Sequence, residues 1–342
     1  MATTLRRQRL RQHAARCRAR FAGRFAWFTV VSIASVACIQ NSFAQGTTEI
    51  RRTLTITSTE PLALDVEVPS GDLQILYGRE GQVLISGVAK ASADAKLDDT
   101  FFLAVLTIEQ EGNHLTVRHV PSPAYSEEGV RVLYRIDVPY RTEVTSRLNR
   151  GRQNIRGILG PVKAVAGNGD IKASYISKGL QAEVEHGNLD LQVIGEHVEA
   201  KTGRGNISCA RVAQGVSAET GDGDITFLVV GPSTATVKKG AGRIDVGGAR
   251  SSFVGSTDGG DLHIKALPHD DWQLNAVSGN ISVELPPAAK FELDATADSG
   301  KVLVDREDIA KPDAAVSHLH QRVNGGGKHI EAHTNAGTIV IR

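Results

Sequence analysis

Residues Val162–Ala173 read VKAVAGNGDIKA, Leu180–Leu191 LQAEVEHGNLDL, Val198–Cys209 VEAKTGRGNISC and Val216–Phe227 VSAETGDGDITF. One phrase is written four times at an 18-residue interval: apolar-x-small, four variable positions, then Gly-[Asp/Asn]-aliphatic-x-apolar. Its glycines are Gly169, Gly187, Gly205 and Gly223. The beat continues at Gly242, Gly260, Gly279 and Gly300, with successive gaps of 18, 18, 18, 19, 18, 19 and 21 residues. A ninth match, Gly337, follows after 37 residues, about two beats.

Two and four positions after every one of these glycines the residue is apolar, from Ile171 and Ala173 to Ile339 and Ile341. Spacing of i, i+2 is a strand signal, since a helix buries i, i+3 and i+4. Within Val198–Thr202, Val198, Ala200 and Thr202 face one way, and Glu199 and Lys201 the other. The glycines then serve as turn residues able to take positive φ, and the neighbouring Asp or Asn is expected to bond its own turn backbone. Stacking such units gives an all-β fold, a parallel β-solenoid of 18-residue rungs, about ten of them and roughly 45 Å long at a strand spacing near 4.8 Å. Glu183, Lys201 and Glu219 share one outward position and alternate in sign, as a solvated ladder requires.

The first 44 residues hold eight arginines and no acid, followed by the apolar run Phe25–Ile39 and Ser42-Phe43-Ala44. This is the pattern of a secretory signal peptide, with cleavage expected between Ala44 and Gln45. The apolar run is shorter than the ~20 residues of a spanning helix, so no transmembrane segment is expected once the leader is removed. Ser35-Val36-Ala37-Cys38 resembles a lipoprotein site only faintly, lacking the leucine. The whole chain carries 39 basic and 38 acidic residues, and the part after Ala44 carries 31 and 38. A mildly acidic product argues against nucleic acid as a partner. Cys209 is the one cysteine beyond the leader, and it is expected in a core column rather than in a disulfide.

Residues 46–145 differ in texture. Short runs at Thr53–Thr57, Leu62–Val68, Asp72–Leu76, Val83–Val88, Phe102–Glu109, His114–His119 and Val130–Val138 are separated by turn signals. They read as an N-terminal antiparallel β region, a sandwich or a cap on the solenoid of residues 146–342. Gly71-Asp72-Leu73-Gln74-Ile75 already spells the repeat, so the two parts are compatible with one fold. Late in the chain, residues 305–323 interrupt the beat and are expected as an inserted loop, after which Ile330–Ile341 forms the last rung, its edge needing cover.

Val66-Glu-Val-Pro-Ser-Gly71-Asp-Leu, Arg135-Ile-Asp-Val-Pro139, Gly160–Ile171, Glu219–Ile225 and Val283-Glu-Leu-Pro286 together resemble the bacterial putative-adhesin family, exported β-strand repeat proteins. The resemblance covers essentially all of the chain after the leader. It implies adhesion at the cell envelope and transfers no catalytic or binding residue.

Three chemistries are open to the residues themselves. Asp170, Asp224 and Asp261 suggest stacked calcium turns, but calcium β-rolls repeat every nine residues, and Arg243 and Lys301 put cations in the same column. His318, His320, His329 and His333 could ligate zinc, yet strand residues four apart lie about 13 Å apart. No metal or cofactor is therefore expected. Asp190, Asp245 and Glu284 are outward carboxylates of the kind a carbohydrate-active β-helix enzyme, a polysaccharide lyase or hydrolase, would use. Ser208 and Ser282 read as solvated serines, and Trp272 is in register with the inward Val216 column. The sequence expectation is an exported, non-catalytic module of the periplasm or cell surface, with an envelope polysaccharide or protein as partner. The two readings separate on whether carboxylates and aromatics converge in one groove.

Overall fold

A computed structural model describes residues 47–55, 61–91, 97, 98, 100–238, 240–309 and 316–342. The leader expected at 1–44 and its cleavage between Ala44 and Gln45 lie outside them. All described residues fall in one compact unit, with no division near 145.

Each rung is built as the 18-residue phrase dictates. In the strand Val198–Arg204, Val198, Ala200 and Thr202 are buried while Lys201 is exposed. The chain turns at Gly205, and the strand Ile207–Val212 buries Ile207, Cys209 and Val212. Successive rungs pair in parallel and in register, so that Val198 lies between Leu180 and Val216, and Ile207 between Leu189 and Ile225. The leading strands make one 14-stranded sheet and the trailing strands another, and their inward columns form a single core. Of the eighteen apolar positions that follow the nine glycines, only Val304, at the end of the stack, is less than fully buried. A buried Ile or Leu stabilises by about 1.5–3 kcal/mol relative to exposure, so this repetition outweighs any single turn contact. Trp272 stands in the inward column between Phe253 and Ile330 and is fully buried.

Among the described residues twelve two-strand rungs stack between outer antiparallel strands: ten lie between Glu143 and Ile341, the number expected of the repeat region, and two more are added to them. The additional rungs come from the N-terminal region, which is not wholly antiparallel. Strands Ala63–Ser70 and Asp72–Tyr77 pair in parallel with Glu143–Arg150 and Gln153–Ile158, and on their other side with His114–His119 and Val130–Val138. Antiparallel pairing is confined to the rim, where Gln82–Ala91 lies against Val130–Val138 and Thr47–Thr55, and Leu106–Glu111 against His114–His119. A boundary at 145 would cut the strand Glu143–Arg150. Phe101–Val105 forms a single helical turn where a strand is expected from Phe102. Helical spacing lets Phe101, Phe102 and Val105 all bury their side chains. The rings meet Tyr125 and Tyr134 edge-on and plug the core at this end.

The order of rungs is permuted at both ends. The rung of residues 63–77 sits between those of 114–138 and 143–158, and the rung of residues 328–341 sits between those of 272–284 and 291–304. The last rung in sequence is therefore internal in space, which corrects the expectation of an open final edge. Residues 305–323 are not merely a loop. His318–Val323 is a strand antiparallel to Phe291–Ala297, and Val316 bridges to Val302. Arg306, almost fully buried, donates to the carbonyls of Leu285, Pro286 and Pro287 and is paired with Asp308.

Candidate functional site

The nine phrase glycines form one column with Gly71 and Gly151. A Cβ on Gly205 would lie 2.1 Å from the Gly187 carbonyl oxygen, and one on Gly300 only 1.7 Å from that of Gly337. Gly205 has φ +141°. Close approach of backbones, more than turn geometry alone, excludes a side chain here. The adjacent polar residues do not bond their own turn, as the sequence reading has it, but the next rung. Asp170 Oδ1 accepts the Asn188 N–H at 2.8 Å, Asn188 Oδ1 that of Asn206 at 2.9 Å, and Asn206 Oδ1 that of Asp224 at 2.8 Å. In-register stacking puts the equivalent backbone nearer than the residue's own turn. Arg152 and Arg243 occupy the same column and have no acceptor to offer.

A second column lines the far end of the trailing strands. Gly157, Tyr175, Val193, Arg211, Val229 and Gly248 all have φ between +56° and +78°. This left-handed residue resets the inward–outward alternation, so that Ile176 and Ile194 turn into the core instead of Tyr175 and Val193. For a non-glycine residue the conformation costs about 1–2 kcal/mol. Tyr175 bears that strain without the return of burial, being 52% exposed.

Here lies an open groove of about 860 Å³, lined by Tyr77, Tyr140, Leu159, Tyr175, Val193 and Arg211 among twelve residues, none of them acidic. It crosses five rungs, from Tyr77 in Asp72–Tyr77 to Arg211 in Ile207–Val212, about 19 Å at the strand spacing. Tyr77 packs beside Gly157, where a Cβ would meet its ring at 2.8 Å. The Arg156 guanidinium sits 5.0 Å from the Tyr175 ring centroid and that of Arg141 5.9 Å from the Tyr140 centroid. Such contacts are favourable but weak at exposed sites. Glu80, outside the lining, accepts the Tyr140 backbone N–H at 3.2 Å.

The candidate carboxylates lie elsewhere, on the outer face of the trailing sheet. Asp190 is paired with Lys172 at 2.8 Å and accepts from Gln192 at 2.7 Å. Asp245 and Glu284 come together around a residue the sequence reading did not single out: His263 has Nδ1 3.2 Å from Asp245 and Nε2 3.2 Å from Glu284. Lys265, followed by His263, holds the Glu284 carboxyl below its ordinary range. Asp190 stands three rungs from Asp245, with Ser208 and Thr226 between. Ser282 is the rung neighbour of His263. Nε2 is held by Glu284, however, which leaves the imidazole no free nitrogen to take a serine proton. Clefts of about 440 Å³ beside Asp190 and 430 Å³ beside Asp245 are both lined by Asp and Arg residues and by no aromatic ring.

Among the described residues no three His, Cys, Asp or Glu side chains are grouped to hold a metal ion. His318 and His320 flank Asp294 at 3.7 Å each, and His333 pairs with Asp298 at 3.2 Å. Cys209 is fully buried, and burial pushes its thiol pKa up. Lys201 bonds Glu199 on its own strand rather than Glu183 or Glu219 across the ladder. No helix among the described residues is long and apolar enough to cross a membrane.

Residues 173–342 match the family model of Toastrack DUF4097. The match takes in 170 of the 342 residues, just under half of the chain. The same stack takes in the rungs of residues 63–77, 114–138 and 143–158; Tyr175 lies inside the match, and Tyr77 and Tyr140 lie before it. Among solved structures the chain is similar to a putative cell adhesion protein from Clostridium sporogenes, 11% identical, covering 86% of this chain and 98% of that one, with a TM-score of 0.24. It is also similar to a putative adhesin from Bacteroides fragilis, 8% identical, covering 70% and 97%, with a TM-score of 0.35. Overlays this loose carry no argument about function. No curated protein matches the chain at a significant level.

Proposed function

We propose that the protein is an exported, non-catalytic, adhesin-like module of the bacterial cell envelope that binds a polymer of its surroundings along the stacked rungs. What supports this reading above all is the separation of two sets of residues. The groove that holds three tyrosines is lined by no carboxylate, and the clefts that hold Asp190 and Asp245 are lined by no aromatic ring. Carbohydrate-active β-helix enzymes usually bring the two together, rings to seat the sugar and carboxylates to move a proton. The carboxylates are moreover engaged by Lys172, His263 and Lys265. The test is to incubate the purified exported protein with a panel of plant and bacterial polysaccharides and to assay retention by intact envelopes in parallel. Saturable retention without release of reducing or unsaturated ends is the expected result. Release that disappears in Asp190→Ala, Asp245→Ala or Glu284→Ala overturns it.

A further inference from the structure

The tyrosine groove has features that a merely exposed surface does not need. Tyr77 and Tyr175 are 64% and 52% exposed, two rungs apart, with Gly157 between them leaving an open step. Tyr175 occupies a position that glycine fills without strain in two other rungs, and it supports nothing in the core. Arg141, Arg156 and Arg211 are exposed around these rings, and none has a carboxylate within ion-pair distance among the described residues. Lys172, Lys178 and Lys265 on the same outer face are each partnered by a carboxylate. In a chain that carries more acids than bases beyond residue 44, an acid-free groove ringed by unpaired guanidinium groups is complementary to an anion.

We propose that this groove binds a uronic-acid-containing polysaccharide, an inference that rests on the envelope-binding reading above and names its ligand. Two parts of the chemistry converge on that class. Tyrosine faces suit the apolar C–H face of a pyranose ring, with the phenol free to bond its hydroxyls. Guanidinium forks suit a planar carboxylate on the same ring. Alcohol-phosphate polymers carry the charge but no ring to lie on Tyr77 and Tyr175, and neutral glycans carry the ring but leave the three arginines unused. The groove runs across the rungs rather than into the core, so it takes a stretch of chain laid along the stack. Its length over five rungs suits a few sugar units.

The experiment is calorimetric titration of the purified exported protein with a short oligogalacturonate, its methyl ester and a glycerol-phosphate oligomer. The acid is expected to bind with an affinity that falls as salt is raised, and the ester and the phosphate oligomer about tenfold more weakly or not at all. Tyr175→Gly is the decisive variant, because glycine relaxes the left-handed backbone while removing the ring. Its unfolding midpoint should be unchanged or higher while binding weakens at least about tenfold. Arg156→Gln and Arg211→Gln should weaken binding of the acid and flatten its salt dependence, whereas Lys201→Gln on the other sheet should do neither. Equal binding of acid and ester, tighter binding of the phosphate oligomer, or unchanged affinity in a folded Tyr175→Gly protein each overturn the proposal. Envelope retention with no binding of any of the three overturns the ligand and leaves the envelope-binding reading standing. Loss of envelope retention, or bond cleavage, strikes that reading itself.

Discussion

Asp170 Oδ1 accepts both the backbone N–H of Asn188, at 2.8 Å, and its side-chain amide, at 3.0 Å, across a separation of one rung and eighteen residues. The same contact recurs from Asn188 to Asn206, from Asn206 to Asp224 and from Asp261 to Asn280. These bonds tie one turn to the next, so their removal should loosen the stack rather than a single loop. Asn206→Ala strips the Asp224 N–H of its acceptor and is expected to lower stability by about 1 kcal/mol. Arg243→Asn restores an acceptor to the column and should raise it by about 0.5 kcal/mol. Urea midpoints of the two variants, moving in opposite directions, check the ladder.

The glycine column predicts a larger effect. Gly205→Ala places a methyl group 2.1 Å from the Gly187 carbonyl oxygen at φ +141°, and one of two stacked backbones must move. A loss of about 4 kcal/mol or more is expected, in the range reserved for a named steric mechanism. Gly112→Ala serves as the comparison, since its φ is +61° with nothing within 4 Å of the added carbon. Strain alone should then cost about 1 kcal/mol. Similar urea midpoints for the two variants would show that backbone contact is not what the column is for.

Alkaline pH should destabilise the fold. Burial raises the Cys209 thiol above its ordinary 9.0, and burial followed by Glu127 raises the Tyr134 phenol above its ordinary 10.0. Both groups stay protonated in the folded chain while the unfolded chain releases their protons. Their contribution is therefore complete below pH 9 and is lost as pH rises beyond it, by up to about 1.4 kcal/mol per pH unit for each group. Cys209→Ala should flatten the first part of that decline in denaturation series run from pH 8 to 11. In the native state near neutral pH, Cys209 should also resist a maleimide; rapid labelling would place it outside the core.

Chelation is expected to leave the melting temperature unchanged. The turn carboxylates Asp170, Asp224 and Asp261 are spent on backbone N–H groups, and Arg152 and Arg243 stand among them. A fall of several degrees in EDTA, reversed by calcium, would mean that the turns hold a cation after all.

Legibility in the sequence followed the strength of the local constraint. The rungs could be read because each needs a residue without a Cβ where one turn backbone meets the next, and apolar residues two and four positions later; Gly205, Ile207 and Cys209 say this almost alone. Their spatial order could not be read throughout. Every rung spells the same phrase, so nothing in Gly337 itself announces that it lies between Gly279 and Gly300. The 37-residue gap before it was the one hint. The target of Asp170 was misplaced because an Asx side chain offers the same acceptor to its own turn and to a neighbour's, and only stacking decides between them. The groove was silent for a different reason. Tyr77, Tyr140 and Tyr175 are scattered over 98 residues, and the left-handed column is spelled Gly, Tyr, Val, Arg, Val, Gly, with glycine at 157 and 248 as its sole conformational signal.

The interleaved ends bear on how the chain reaches its shape. From residue 143 to 284 each new rung settles on the one made just before it, a zipper that can advance as the polypeptide emerges. Residues 291–304 break that rule, since the place beside 272–284 belongs to residues 328–341. Until those arrive, the penultimate piece has no finished neighbour to rest on, and the zipper waits for its last tooth. Closure of this end thus needs residues 328–341 in place. A product clipped before residue 328 would leave the edge strands of residues 272–284 without this partner, and an unpaired β edge is a template for aggregation.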